Sequence, residues 1–194
     1  MSNLIPDLSR AALLSMDLQN AIVSIYAKND EEFMPRAAGV LNAARSHGVK
    51  AIHVQVGFRP GLPEVNPRNA LFGAIKTSPE WQKVFEGPAG QIHPSVAPQG
   101  EDIVVTKHRV SAFAGTDLEM ILRSNGIETL VLFGIATSGV VLSTLLEASD
   151  ADYRLIVVRD CCTDQDPEVH ACLTEKVFPR RASVISAGEL LAAF

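Results

Sequence analysis

With 194 residues, of which 47% are hydrophobic and 20% charged, the chain has the make-up of a single globular domain and not of a disordered segment. Its 22 acidic residues outnumber 17 basic ones, a formal net charge of −5, which argues against a surface for nucleic acid or anionic lipid. No stretch is long and uncharged enough to span a membrane, and Pro6 and Asp7 interrupt the run that a secretory leader would need.

Hydrophobic patterning gives the elements in chain order. Ala11–Met16 is an apolar strand closed by Asp17, and Glu31–His47 has helical spacing that ends at Gly48. Val49–Val56 is the next strand. The segment 58–100 holds seven of the eleven prolines and reads as an insertion, either a lid or a subunit contact. Then follow a strand at Ile103–Thr106, a helix at Leu118–Asn125, a strand at Glu128–Phe133 and a helix at Val140–Asp150. A strand at Arg154–Val158, a helix at Pro167–Phe178, a strand at Ser183–Ile185 and a helix at Gly188–Phe194 complete the pattern. Thr116-x-x-Glu119 reads as a capping box, and Ser78–Pro79 and Asp166–Pro167 each place an N-cap before a first-turn proline. Pro179 is read as the stop of the helix that begins at Pro167.

Strands that are apolar throughout are covered on both faces, so these βα units predict a doubly wound parallel sheet of about six strands. Ligands in such sheets sit beyond the carboxyl ends of the strands. Nothing in those positions cradles a nucleotide: G-x-G-x-x-G and G-x-x-x-x-G-K-[ST] are absent, as are G-x-S-x-G and H-E-x-x-H. The five histidines are scattered, so neither a metal nor a cofactor is expected. Cys161, Cys162 and Cys172 form no disulfide framework or zinc spacing, and a reducing cytoplasm is the expected setting.

Two ionisable residues end strands: Asp17 in LLSMDLQN and Lys107 in VVTKHRVSAFAGTDL. Taken singly, the first suits a turn and the second a solvated surface. Brought into one cleft, they would tune each other's proton affinity. A third piece, Gly134-Ile-Ala-Thr-Ser-Gly-Val-Val141, joins a strand to a helix through small residues. Its amides, from Ala136 through Thr137, Ser138, Gly139 and Val140, suit either an anion or oxyanion site or an ordinary capped helix.

These three strings, in this order, resemble the isochorismatase-like hydrolases, also called the cysteine hydrolase family. The likeness rests on Lys107-x-x-x-Ser111-Ala-Phe113-x-Gly115-Thr116-x-Leu118 and on Gly134–Val141 followed by Thr144. The late string Arg154–Cys162, with His170 downstream, fits as well, so the likeness runs over roughly residues 10–187. It implies one domain over 1–194, a three-layer α/β/α sandwich with strand order 3-2-1-4-5-6, and a homo-oligomer, dimer or tetramer. It also implies that Asp17 and Lys107 are the first two members of a catalytic triad. Ala136 and Val140 would supply oxyanion-hole amides, and Ile135–Ala136 would be a cis peptide. Val140 falls where the family's nucleophilic cysteine would sit. Gly57, Phe58 and Arg59 occupy the region where metal-binding members carry an Asp/His set, so no metal is carried over.

Valine has no lone pair to attack with, which closes a thioester route at that position. Asp17 and Lys107 then point to acid–base hydrolysis of a small, possibly anionic, molecule, with Ser138 positioning water. The alternatives are a catalytically impaired relative that binds a ligand or partner, and an amidase with a displaced nucleophile such as Ser138, Ser143, Cys161 or Cys162. Phe58, Arg59, Phe72, Trp81 and Phe113 are candidates for the pocket wall, each with a competing core or interface reading. Arg59 is the candidate for carboxylate recognition.

Overall fold

The computed structural model describes residues 4, 5 and 7–194, so Pro6 lies outside the described residues. In chain order it runs β1 (Ala11–Met16), α1 (Asn20–Tyr26), α2 (Phe33–Ser46) and β2 (Lys50–Val56). The 58–100 segment contributes α3 (Ala70–Thr77), α4 (Pro79–Lys83) and α5 (Gly87–Gly90). Then come β3 (Ile103–Lys107), α6 (Leu118–Ser124), β4 (Thr129–Ile135), α7 (Leu142–Asp150) and β5 (Arg154–Thr163). The chain closes with α8 (Pro167–Cys172), β6 (Ser183–Ile185) and α9 (Ala187–Leu191).

All six strands are parallel, in the order β3-β2-β1-β4-β5-β6. This is the order that the family resemblance implies. Every residue of the central strands β1 and β4 is buried, although successive side chains point to opposite faces. Helices therefore cover both sides of the sheet, giving three layers. The order reverses at β1, where β2 lies on one side and β4 on the other, so a crevice opens beyond the carboxyl ends of these strands. Among the described residues no helix is long and apolar enough to cross a membrane.

Several local expectations change. α1 is a helix that the sequence reading omits; no side chain caps it, so it lacks a start signal. The expected Thr116–Glu119 box does not form. Asp117 is the N-cap, Thr116 Oγ1 donates to the Ala112 carbonyl (2.7 Å), and Glu119 pairs with Arg123. A capping box forms instead at Ser186 and Glu189. β5 continues five residues past Val158, through a register irregularity against β4 between Leu132 and Gly134. The regular part of the Pro167 helix ends at Cys172, and wider and then tighter turns carry the chain on through Pro179 to Arg180.

Candidate active site

β1 delivers Asp17 just past its last residue, in a left-handed backbone conformation with φ of 58°. That region is uncommon outside glycine, and aspartate is among the residues that tolerate it best. The Asp17 N–H still donates to the Val54 carbonyl (2.8 Å), so the residue is anchored to β2 while the chain turns. Lys107 closes β3, with β2 between it and β1, and its stem spans that strand end. Its ammonium sits 2.8 Å from Asp17 Oδ2 and donates to the Arg109 carbonyl at 3.1 Å. Both side chains are buried. Among the described residues nothing hydrogen-bonds Asp17 Oδ1.

Burial pushes the Asp17 carboxyl above its ordinary value, and the charge and hydrogen bond of Lys107 offset that only in part. A carboxyl so placed holds a proton more readily than an exposed aspartate does. One oxygen is pinned by the ammonium, and the other has no partner among the described residues.

β4 reaches the same place through Gly134, whose φ of 146° belongs to glycine's range. A Cβ there would fall 2.1 Å from the Met16 carbonyl oxygen, so only glycine lets β4 run this close to the end of β1. The Ile135–Ala136 peptide that follows is cis. The chain then turns through Thr137–Val141 into α7, with Gly139 out of helical geometry at a kink. Among the described residues the Ala136 N–H has no hydrogen-bond acceptor.

Asp17, Lys107, Ile135, Ala136, Gly139 and Val140 all border one cavity of about 340 Å³. That volume is at the small end of the range of about 300–1,000 Å³ typical of small-molecule sites. The opposite wall comes from the 58–100 segment through Leu71, Phe72, Ile75, Trp81, Val84 and Phe85. α1 adds Ile22, Ile25 and Tyr26. The segment is stitched to the strand ends by Gln19, which the sequence reading missed. Gln19 is fully buried: its Nε2 donates to the carbonyls of Val56 (2.9 Å) and Gly90 (2.6 Å), and its Oε1 accepts from the Val56 N–H (2.8 Å). Its place two residues after Asp17 was the only signal available.

Other expected site residues lie elsewhere. Arg59 is exposed beside Glu64, 3.8 Å away, and does not border the cavity. Phe113 is buried in the main core with its ring near Tyr153. Phe58 stands behind the wall, edge-on to Phe72 and Phe85. Thr137 is buried with its Oγ1 2.8 Å from His170 Nδ1. Ser138 is exposed, its N–H donated to Asp164 Oδ2 (2.7 Å), so that amide does not serve the cavity.

None of the displaced nucleophiles reaches the pair. Neither Ser138 nor Ser143 lines the cavity, and Cys162 borders a separate surface hollow with Arg36, Asp160 and His170. Burial pushes the Cys162 thiol up to about 12 and raises Cys161 as well. Among the described residues no three His, Cys, Asp or Glu side chains are grouped as a metal site requires.

Comparison with known proteins matches residues 11–189 to the isochorismatase domain. An uncharacterized isochorismatase family protein of Bacillus subtilis is 32% identical over 183 residues, covering 93% of this chain and 92% of that protein. The maleamate amidohydrolase of Pseudomonas putida is 30% identical over 167 residues, covering 83% and 76%. An isochorismatase family structure from Burkholderia thailandensis superposes with a TM-score of 0.81 at 29% identity, covering 95% of each chain.

Proposed function

The chain belongs to the isochorismatase family, and from that premise we propose that it hydrolyses a small molecule by acid–base catalysis on Asp17, with no covalent intermediate. The observation that carries this reading is Asp17 Oδ1, a buried carboxylate oxygen without a partner among the described residues, on the wall of a ligand-sized cavity. Lys107 holds the other oxygen and so orients the group. Val140, at the position the resemblance assigns to the family's cysteine, offers no nucleophile.

In the proposed step, protonated Asp17 donates its proton to the departing nitrogen or oxygen of the substrate. Water adds to the electrophilic carbon, the carbon–heteroatom bond breaks, and the proton released by water returns to Asp17 Oδ1. The raised proton affinity of Asp17 favours the acid role. The Ala136 N–H, without an acceptor among the described residues, is the candidate to hold charge that develops on a substrate oxygen. The activity named for the Pseudomonas putida relative makes amides the first class to screen, followed by esters and enol ethers.

The test is hydrolysis of such a panel by the wild type and by Asp17→Asn. Turnover reduced by about 10²–10⁴-fold in the variant supports the reading, and unchanged turnover overturns it. A second reading is favoured by the absence of any thiol or serine hydroxyl among the described residues of the cavity wall. It is a relative that binds a small ligand without converting it, and saturable binding with no turnover across the panel decides for it.

A further inference from the structure

The cavity wall is almost entirely apolar. Asp17 and Lys107 carry its only ionic charges among the described residues, and they face each other at 2.8 Å as a neutral pair. Tyr26 adds a phenol that burial, with the Asp164 charge, raises above its ordinary value, so it stays uncharged at neutral pH.

The cations on neighbouring elements are engaged away from the hollow. Lys76, beside Ile75 on α3, donates to the carbonyls of Leu62 (2.9 Å) and Val65 (3.0 Å). Arg109 donates to the carbonyls of His108 (2.6 Å) and Glu64 (2.8 Å), with its guanidinium 5.8 Å from the Phe72 ring centre. Arg59 stands at the surface beside Glu64.

We infer that this cavity selects uncharged, largely apolar molecules carrying one reacting polar group, and that it discriminates against anions. A substrate carboxylate would give up its water for a wall of Ile75, Val84 and Phe85 without gaining a free cation. The nearest charge of opposite sign is already satisfied by Asp17, whose own carboxyl would repel it. Desolvating an ion without a partner is strongly unfavourable. An uncharged ligand has no such cost, and each methylene it buries against this wall adds to its affinity. Leu71 and Trp81, each at least half exposed at this wall, extend the apolar surface toward solvent, where a ligand would cover them.

This inference rests on the reading that the cavity is the substrate site, but binding can be measured without turnover. Trp81 is the chain's single tryptophan and borders the cavity, so its fluorescence reports occupancy directly. The probes are isosteric pairs at neutral pH: phenylacetamide against phenylacetate, and hexanamide against hexanoate. The expected result is saturable binding of each amide at least about tenfold tighter than its carboxylate, with the preference narrowed in Asp17→Asn, which leaves the Lys107 ammonium without its counter-charge. Val84→Lys, which adds a cation to the half-buried wall, should narrow or invert the ratio. Carboxylates that bind as tightly as the amides, or amides that give no saturable change, overturn the inference. A preserved preference in a protein that hydrolyses nothing would sink the catalytic reading and leave this one standing.

Discussion

Lys107 Nζ lies 2.8 Å from Asp17 Oδ2, with only 2% and 7% of the two side chains exposed. Two strand ends separated by a third thus present one proton-carrying group to the cavity with a single free oxygen. Removing either partner has consequences that can be measured.

Lys107→Met leaves a buried carboxylate unpaired, and about 3–5 kcal/mol of stability is expected to be lost at neutral pH. The sign of the pH dependence follows from the raised Asp17 pKa. Between the unfolded and folded values the native state binds more protons than the unfolded chain. Stability linked to this group is therefore full below its unfolded value, near 3.8, and is lost as pH rises through the folded value. Without the ammonium the folded value climbs further, so the deficit of Lys107→Met shrinks on acidification. Urea midpoints across pH check this, and a variant as stable as the wild type at neutral pH contradicts it.

With Asp17 as the acid, kcat/KM falls as pH rises through the raised Asp17 pKa. Lys107→Met moves that falling limb to higher pH, because the cation no longer favours the ionised form. A limb that stays in place would separate Lys107 from the titrating group.

Gly134→Ala sets a Cβ 2.1 Å from the Met16 carbonyl oxygen at a backbone angle foreign to alanine. A destabilisation of about 3 kcal/mol is expected, with β4 pushed away from the end of β1. Chemical denaturation measures the first effect, and loss of ligand-induced Trp81 fluorescence change reports the second.

Gln19→Ala strips hydrogen bonds from the Val56 N–H and carbonyl and from the Gly90 carbonyl. Leaving such groups buried without partners costs about 1–3 kcal/mol each at most, so a comparable fall in stability should appear in thermal unfolding. Ligand affinity should weaken more than kcat, since Gln19 anchors the segment that forms the cavity wall and does not touch the Asp17–Lys107 pair.

Alkylation of the native protein with iodoacetamide at mildly alkaline pH should label Cys172, which is exposed, and spare Cys161 and Cys162. Burial keeps both of the latter protonated, Cys162 up to about 12. Peptide mass spectrometry after denaturing quench reads the pattern; rapid labelling of Cys162 would reopen its candidacy as a nucleophile.

Much of this was legible in the linear chain. The alternation of apolar strands and helices yields the sheet, and the strings around Asp17, Lys107 and Gly134–Val141 lead to three strand ends that meet. Such features are written locally: side-chain period, caps and the residues that follow a strand recur wherever the backbone repeats. What they omit is direction. Arg59 and Phe113 lie beside site-bearing strings, yet one turns to Glu64 in solvent and the other into the core. The wall made by Ile75, Val84 and Phe85 is anchored through Gln19, far from them along the chain, and its lack of a free cation emerges only when Lys76 and Arg109 are seen bonded to carbonyls. Order along a sequence specifies which elements can be neighbours. Which side of each element faces the hollow is decided by packing between segments distant in the chain, where burial and hydrogen-bond satisfaction are settled together.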